Sequence, residues 1–145
     1  MMTALSVNTL SERVIGACIE IHRALGPGLL ESAYEECLCY ELSQAGLAFE
    51  RQRAIPVRYK QVLLNCGYRA DLIVDDRLIV ELKTVDAINN IHVAQLLTYL
   101  RLTDIGLGLV VNFNVATLRS GIKRVVSGTP DRDRNAQADH VVRPV

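Results

Sequence analysis

Residues 68 to 84 read Tyr-Arg-Ala-Asp-Leu-Ile-Val-Asp-Asp-Arg-Leu-Ile-Val-Glu-Leu-Lys-Thr. Two apolar runs flank Asp75-Asp76-Arg77, which predicts two strands joined by a turn. Three ionisable side chains, Asp71, Glu81 and Lys83, interrupt those runs. Side chains alternate along a strand, so Glu81 and Lys83 share one face while Leu78, Val80 and Leu82 share the other. Burying ionisable groups in an apolar strand is costly unless they are paired, hydrated or bound to metal. A purely structural strand more often carries Thr or Val there. Asp71 and Glu81 lie ten residues apart across the turn, so a β-hairpin brings both carboxylates to one point.

The rest of the chain must build a core around this hairpin. At 145 residues, half of them hydrophobic and 22% charged, the chain fits one folded domain rather than a disordered segment. Its 16 basic and 16 acidic side chains balance, which argues against a strongly basic, non-specific nucleic-acid binder but not against a local basic rim. The generous apolar fraction points toward a homo-oligomer. No apolar run approaches the ~18 residues of a membrane span, and no basic segment followed by an apolar one marks a signal peptide. A cytoplasmic protein with no membrane partner is expected. Cys18, Cys37, Cys39 and Cys66 form no C-x-x-C pair, so they read as packing residues in a reducing compartment rather than as zinc ligands.

Before the hairpin, a helix is expected from Asn8 or Ser11, with residues 1 to 7 frayed. Val14, Ile15, Cys18, Ile19, His22 and Leu25 recur at helical spacing. Gly26-Pro27-Gly28 stops that helix. A second runs from about Leu29 to Ala45, with Glu31 in its first turn, where the helix macrodipole favours a carboxylate. That is a sufficient structural reason for Glu31. Glu35 and Glu36 are expected in solvent, and His22 as a hydrogen-bonded packing residue that stands near the site. Residues 48 to 60 read as a strand interrupted by Pro56, followed by a tight turn at Lys60-Gln61 and a short strand to Asn65. With the hairpin these form an antiparallel meander. A third helix fits Asn89 to Leu102, with Val93, Leu96, Leu97 and Leu100 as its apolar stripe and Gln95 and Tyr99 on another face. A buried strand is expected over residues 107 to 113, an edge strand over 122 to 126, and a flexible tail from 127 to 145.

Two converging carboxylates suit Mg²⁺ or Mn²⁺, which prefer hard oxygen ligands, and the Leu82 carbonyl between Glu81 and Lys83 is placed to add another. Lys83 would orient or deprotonate a water, or neutralise charge building on phosphorus. Glu31 is a further candidate ligand, Gln95 a partner for the water or a carboxylate, and Tyr99 a substrate contact. The competing reading is a cross-strand salt-bridge group on a solvated sheet face. For Gln95 and Tyr99 it is a polar helix face and a packing aromatic. No P-loop, G-x-G-x-x-G or G-x-S-x-G occurs, and no run interleaves aromatic and basic residues as a single-strand stacking platform would.

Asp71 followed by Glu81-Leu82-Lys83, in helix–meander–helix–strand order, resembles the PD-(D/E)XK nuclease superfamily. The Gln95 and Tyr99 spacing is similar to the Q-x-x-x-Y motif of its RecB-like branch. Gly28, Glu31 and Tyr34 match the motif of the small GxxExxY proteins assigned to it. Asn112-Phe113 and Gly121-Ile122-Lys123-Arg124 are similar to that family too, so the resemblance spans residues 8 to 126. Ala70 stands where the superfamily name has proline. The resemblance implies an α/β, restriction-endonuclease-like core with a central mixed β-sheet flanked by α-helices. It also implies a Mg²⁺- or Mn²⁺-dependent nuclease with Asp71, Glu81, Lys83 and Gln95 catalytic, acting on nucleic acid. The choice of substrate does not follow from the resemblance; DNA is expected as the partner in preference to RNA. A non-catalytic nucleic-acid- or protein-binding module that keeps the fold is the alternative, and an oligomeric interaction protein a third.

Overall fold

A computed structural model of the chain describes residues 5–128. The expected tail lies outside them from residue 129 onward, as do residues 1 to 4. Helix α1 spans Val7–Leu25, with Ser6 as its N-cap accepting from the Thr9 amide at 3.1 Å. The helix therefore starts earlier than Asn8 or Ser11 suggested. A serine just before the first helical residue outcompetes equally good capping types one turn in. Helix α2 spans Glu31–Gln44. Strands β1 (Phe49–Ala54), β2 (Val57–Tyr59), β3 (Val62–Leu64), β4 (Arg69–Val74) and β5 (Leu78–Lys83) follow. Helix α3 (Asn90–Thr103), strand β6 (Leu107–Asn112), a 3₁₀ turn (Leu118–Gly121) and strand β7 (Ile122–Val126) complete the fold.

The main sheet has the order β1-β4-β5-β6-β7, with β5 and β6 parallel and every other pair antiparallel. The expected meander is β1-β4-β5 alone. Strands β2 and β3 form a separate two-stranded hairpin inserted between β1 and β4. The reason lies at Pro56, which has no N–H for a ladder: β1 leaves the sheet after Ile55, whose amide makes a last bond to the Tyr68 carbonyl at 2.9 Å.

Each sheet face builds its own core. Leu72, Val74, Leu78, Val80 and Leu82 pack with Leu10, Val14, Cys18, Tyr34, Leu38 and Leu42 of α1 and α2. Ala70, Ile73, Ile79 and Val110 pack with Val93, Leu96, Leu97, Tyr99 and Leu100 of α3. Gly108 permits this second packing, because a Cβ there would lie 2.8 Å from the Leu96 methyls. An Asn89–His92 capping box starts α3 where the sequence places it. Asp75 and Asp76 turn the β4–β5 hairpin with φ of 53° and 58°, a left-handed conformation that Asp tolerates better than most residues.

Candidate active site

The ladder between β4 and β5 has three pairs, Leu72 with Val80, Ile73 with Ile79 and Val74 with Leu78. The next pair would be Asp71 with Glu81, and there side chains take over from the backbone. Asp71 Oδ2 accepts from the Leu82 amide at 2.8 Å, and Glu81 Oε2 accepts from the Asp71 amide at 2.9 Å. Each carboxylate thus satisfies an amide of the opposite strand as the strands part. The break reaches the packing: Ala70 joins the α3-side core and Leu72 the other, though strict alternation would put both on one face.

The Lys83 carbonyl accepts from the Phe113 amide at 2.9 Å, so it faces β6. Alternation then turns the amide and carbonyl of Leu82 toward β4, beyond the last ladder pair. Asp71 occupies that amide, which leaves the carbonyl directed at the parted strands. The Leu82 side chain is 1% exposed in the α1/α2 core, so only its backbone belongs to the site.

Glu81 is 5% exposed, and its pKa is pushed up to about 8, first by burial and then by the neighbouring Asp71 charge. The Asp71 amide and the Lys83 charge act the other way. Burial also raises Asp71, against the Leu82 amide, the Gln52 side chain and Lys83, which lower it. Lys83 is half-buried and, among the described residues, forms no ion pair within 4 Å. Its charge is therefore available to the two carboxylates and to a ligand.

The other predicted residues arrive by two routes. Tyr99 projects from α3 over the face that carries Glu81, is 5% exposed, and has its pKa raised by burial and by Glu81 and Asp71. Gln95 lies one turn earlier on α3 but is exposed and, among the described residues, hydrogen-bonded to none of the site carboxylates. Glu31 comes from the opposite side of the sheet. Its Oε2 accepts from the Thr84 amide at 3.2 Å, one residue past the end of β5. It is within electrostatic reach of Asp71 and Glu81, raising both. Among the described residues, however, no three His, Cys, Asp or Glu side chains lie close enough together to hold a metal ion.

Glu31 is placed by its sequence neighbours. Gly28 has φ of 112°, a conformation that L side chains rarely adopt. The Tyr34 hydroxyl donates to the Gly26 carbonyl and accepts from the Leu29 amide, closing the loop before α2. The Tyr34 ring stacks on Phe113 at 4.1 Å between centroids. Gly28, Glu31 and Tyr34 thus act together to fix one carboxylate at the end of β5. His22 is a packing residue, its Nε2 bonded to the Val115 carbonyl at 2.8 Å.

Two contributors, Gln52 and Glu35, escape sequence reasoning, and a third, Asn112, enters it only through the resemblance, without a role. Gln52, at φ of 50° on β1, donates from Nε2 to Asp71 Oδ1 at 3.2 Å and to Glu35 Oε1 at 2.9 Å. Glu35, expected in solvent, is buried and also accepts from Arg51 Nε at 3.2 Å. Only the pairing of β1 beside α2 reveals this, since Glu35 and Gln52 are 17 residues apart. Asn112, 1% exposed, accepts from the amides of Val85 and Asn114 and donates to the Val85 carbonyl, fastening the segment after Lys83 to the end of β6. The expectation that all four cysteines pack also changes: Cys18 and Cys39 are buried, whereas Cys66 is exposed.

A five-stranded mixed sheet with helices on both faces, and its acidic residues where the central strands part, defines a restriction-endonuclease-like fold. A family profile described as the PD-(D/E)XK nuclease superfamily matches residues 8–125, and the chain belongs to that superfamily. No curated protein and no solved structure gives a significant match.

Proposed function

We propose that the protein is a metal-dependent nuclease that hydrolyses phosphodiester bonds of nucleic acid, with DNA as the favoured substrate and residues 8–126 as the unit that carries the activity. The observation that carries this reading is the pair of carboxylates, Asp71 and Glu81, that accept across the parting strands beside Lys83, which among the described residues forms no ion pair. Hard carboxylate oxygens and a carbonyl aimed at the same gap suit a Mg²⁺ or Mn²⁺ ion, so the donor chemistry fits. Asp71, Glu81 and the Leu82 carbonyl would hold it, with Glu31 as a further oxygen donor. The ion would supply positive charge that polarises a phosphate oxygen. As an ammonium Lys83 orients the attacking water or neutralises charge on phosphorus; only as the neutral amine would it take up the water's proton. Tyr99 lines the approach, Gln95 meets the water or a site carboxylate when substrate is bound, and Gln52 holds Asp71 in position. Gly28, Glu31 and Tyr34 support a place in the GxxExxY group, and Gln95 and Tyr99 one in the RecB-like branch. Among the described residues no helix is long and apolar enough to cross a membrane. A cytoplasmic site of action fits this reading.

The test incubates the protein with single- and double-stranded DNA and RNA plus Mg²⁺ or Mn²⁺. Cleavage that needs the metal and disappears in Lys83→Ala is expected; equal cleavage by both proteins identifies a contaminant. The second reading is a binding module that keeps the nuclease fold. Among the described residues Glu31 stands apart from Asp71 and Glu81 rather than closing a three-carboxylate cluster with them, which favours it, and absence of Mn²⁺ binding with or without oligonucleotide would decide for it.

A further inference from the structure

From Arg51 to Ala70 the chain carries Arg51, Arg53, Arg58, Lys60 and Arg69 and no carboxylate, although the whole chain is neutral. Arg51 pairs with Glu35 and Glu36, and Arg53 with Glu50 and Asp76. Arg58, Lys60 and Arg69 are exposed and, among the described residues, form no ion pair within 4 Å. These three lie on the β2–β3 hairpin or at its base. Register places Val57, Tyr59, Val62 and Leu64 on one face of the hairpin. Tyr59 is 60% exposed and Val62 52%, and among the described residues no other helix or strand packs broadly against them. Lys60 turns the hairpin tip at φ of 56° and rests its Nζ 5.3 Å from the Tyr59 ring centroid. Scattered along the chain, these residues make no stacking pattern. The hairpin assembles one.

The hairpin also leads to the candidate site. The Tyr68 ring lies 6.3 Å from that of Tyr99. Arg69 donates to the Gln52 carbonyl at 3.0 Å, and the Gln52 side chain holds Asp71. An unneutralised basic surface with an aromatic, apolar face, continuous with a carboxylate site, matches a polyanion whose bases are free to stack. Duplex DNA hides those base faces.

We propose that the β2–β3 hairpin is a substrate arm for single-stranded nucleic acid. Bases stack on Tyr59, Val62 and Leu64, and phosphates meet Lys60, Arg69 and, around the hairpin's edge from the face it shares with Leu63, Arg58 on the way to Asp71 and Glu81. This rests on the nuclease reading for its direction toward the site, but not for the binding itself.

The test is fluorescence anisotropy with a labelled oligothymidylate and with a duplex of equal length, in EDTA so that nothing is cut. Tyr59→Ala should weaken oligothymidylate binding about tenfold while Tyr59→Phe restores it. Arg58→Ala/Lys60→Ala should flatten the salt dependence by about 1.4 in log–log slope, the contribution of two single-strand phosphates. With Mg²⁺, both hairpin variants should raise KM and leave kcat unchanged, while Lys83→Ala should keep binding and lose cleavage. Wild-type affinity and salt slope in the hairpin variants overturn the arm and leave the nuclease reading standing if Lys83→Ala is inactive. Loss of binding in those variants, with no metal-dependent cleavage by wild type, supports the arm and overturns the nuclease reading. A wild-type dimer that Tyr59→Ala converts to monomer, with oligothymidylate binding unchanged, identifies a self-association surface and also overturns the arm.

Discussion

The two halves of the β4–β5 pair differ in what closes the gap between the strands. From Leu72 to Leu78 the closure is backbone pairing, and every paired side chain is apolar and buried between two helical layers. One residue further, at Asp71 and Glu81, the ladder ends and carboxylates accept from the Leu82 and Asp71 amides of the facing strands. The first half is a stability element. The second holds a carboxylate that burial pushes toward the protonated state, an arrangement that hydrophobic packing does not require. The contrast teaches that the costly charges are confined to the point where the sheet opens.

The sharpest way to break this comparison is Asp71→Asn. Activity should fall by about 100-fold or more, because a charged ligand is lost where transition-state charge builds. Single-turnover cleavage at saturating Mg²⁺ measures it, and a circular dichroism melt close to that of wild type would show that the open half contributes chemistry more than stability. In the paired half, Leu72→Ala should instead cost about 2–5 kcal/mol in urea unfolding, the range for emptying a fully buried leucine site. Any surviving folded fraction should keep its activity per molecule.

The raised Glu81 sets a smaller, pH-dependent effect. A carboxyl whose folded pKa is about 8, against an ordinary 4.5, contributes stability below pH 4.5 that is lost as pH rises through 8. The groups facing it are Asp71, Lys83 and Glu31. Glu81→Gln lacks this loss, so in EDTA its Tm should overtake that of wild type as pH rises, each 1 kcal/mol appearing as about 4 °C. A constant Tm difference across that range would contradict the burial argument. The smallest effect is expected from Gln52→Ala, which frees Asp71 Oδ1 without touching the paired half. Metal affinity should fall about tenfold, the lower end for a residue that orients a ligand, with Tm within a degree or two of wild type.

The sequence foretold the hairpin well because its signals are local. Alternation fixes which face Glu81 shares, and the adjacent aspartates fix the turn. Asn89 likewise marked the start of α3, since a cap acts within one helical turn. Helical spacing places Gln95 and Tyr99 on one stripe of α3, yet Tyr99 is buried over the face that carries Glu81 whereas Gln95 is exposed. Period alone says that two residues share a stripe, not how far the stripe rolls toward the sheet. The sequence offers Glu31 as a candidate ligand without its route: α2 covers the sheet face opposite Glu81 and delivers Glu31 around the strand end to Thr84. Glu35 and Gln52 were missed because their partnership depends on β1 lying beside α2, a long-range contact that no local pattern encodes. The β2–β3 hairpin is legible through Pro56, the turn at Lys60-Gln61 and the short strand after it, but its separation from the main sheet is not, because a missing N–H ends pairing without saying where the next strands go.

Asp71 and Glu81 are proposed to form a metal site at the opened end of the sheet. Isothermal titration calorimetry with Mn²⁺ at pH 7, repeated in buffers of different ionisation enthalpy, tests it directly. With Glu81 near pKa 8, binding should release close to one proton, so the observed heat should change with the buffer. Asp71→Asn should abolish the signal. No Mn²⁺ heat in wild type, with or without oligonucleotide, or heat that Asp71→Asn leaves unchanged, would contradict the account.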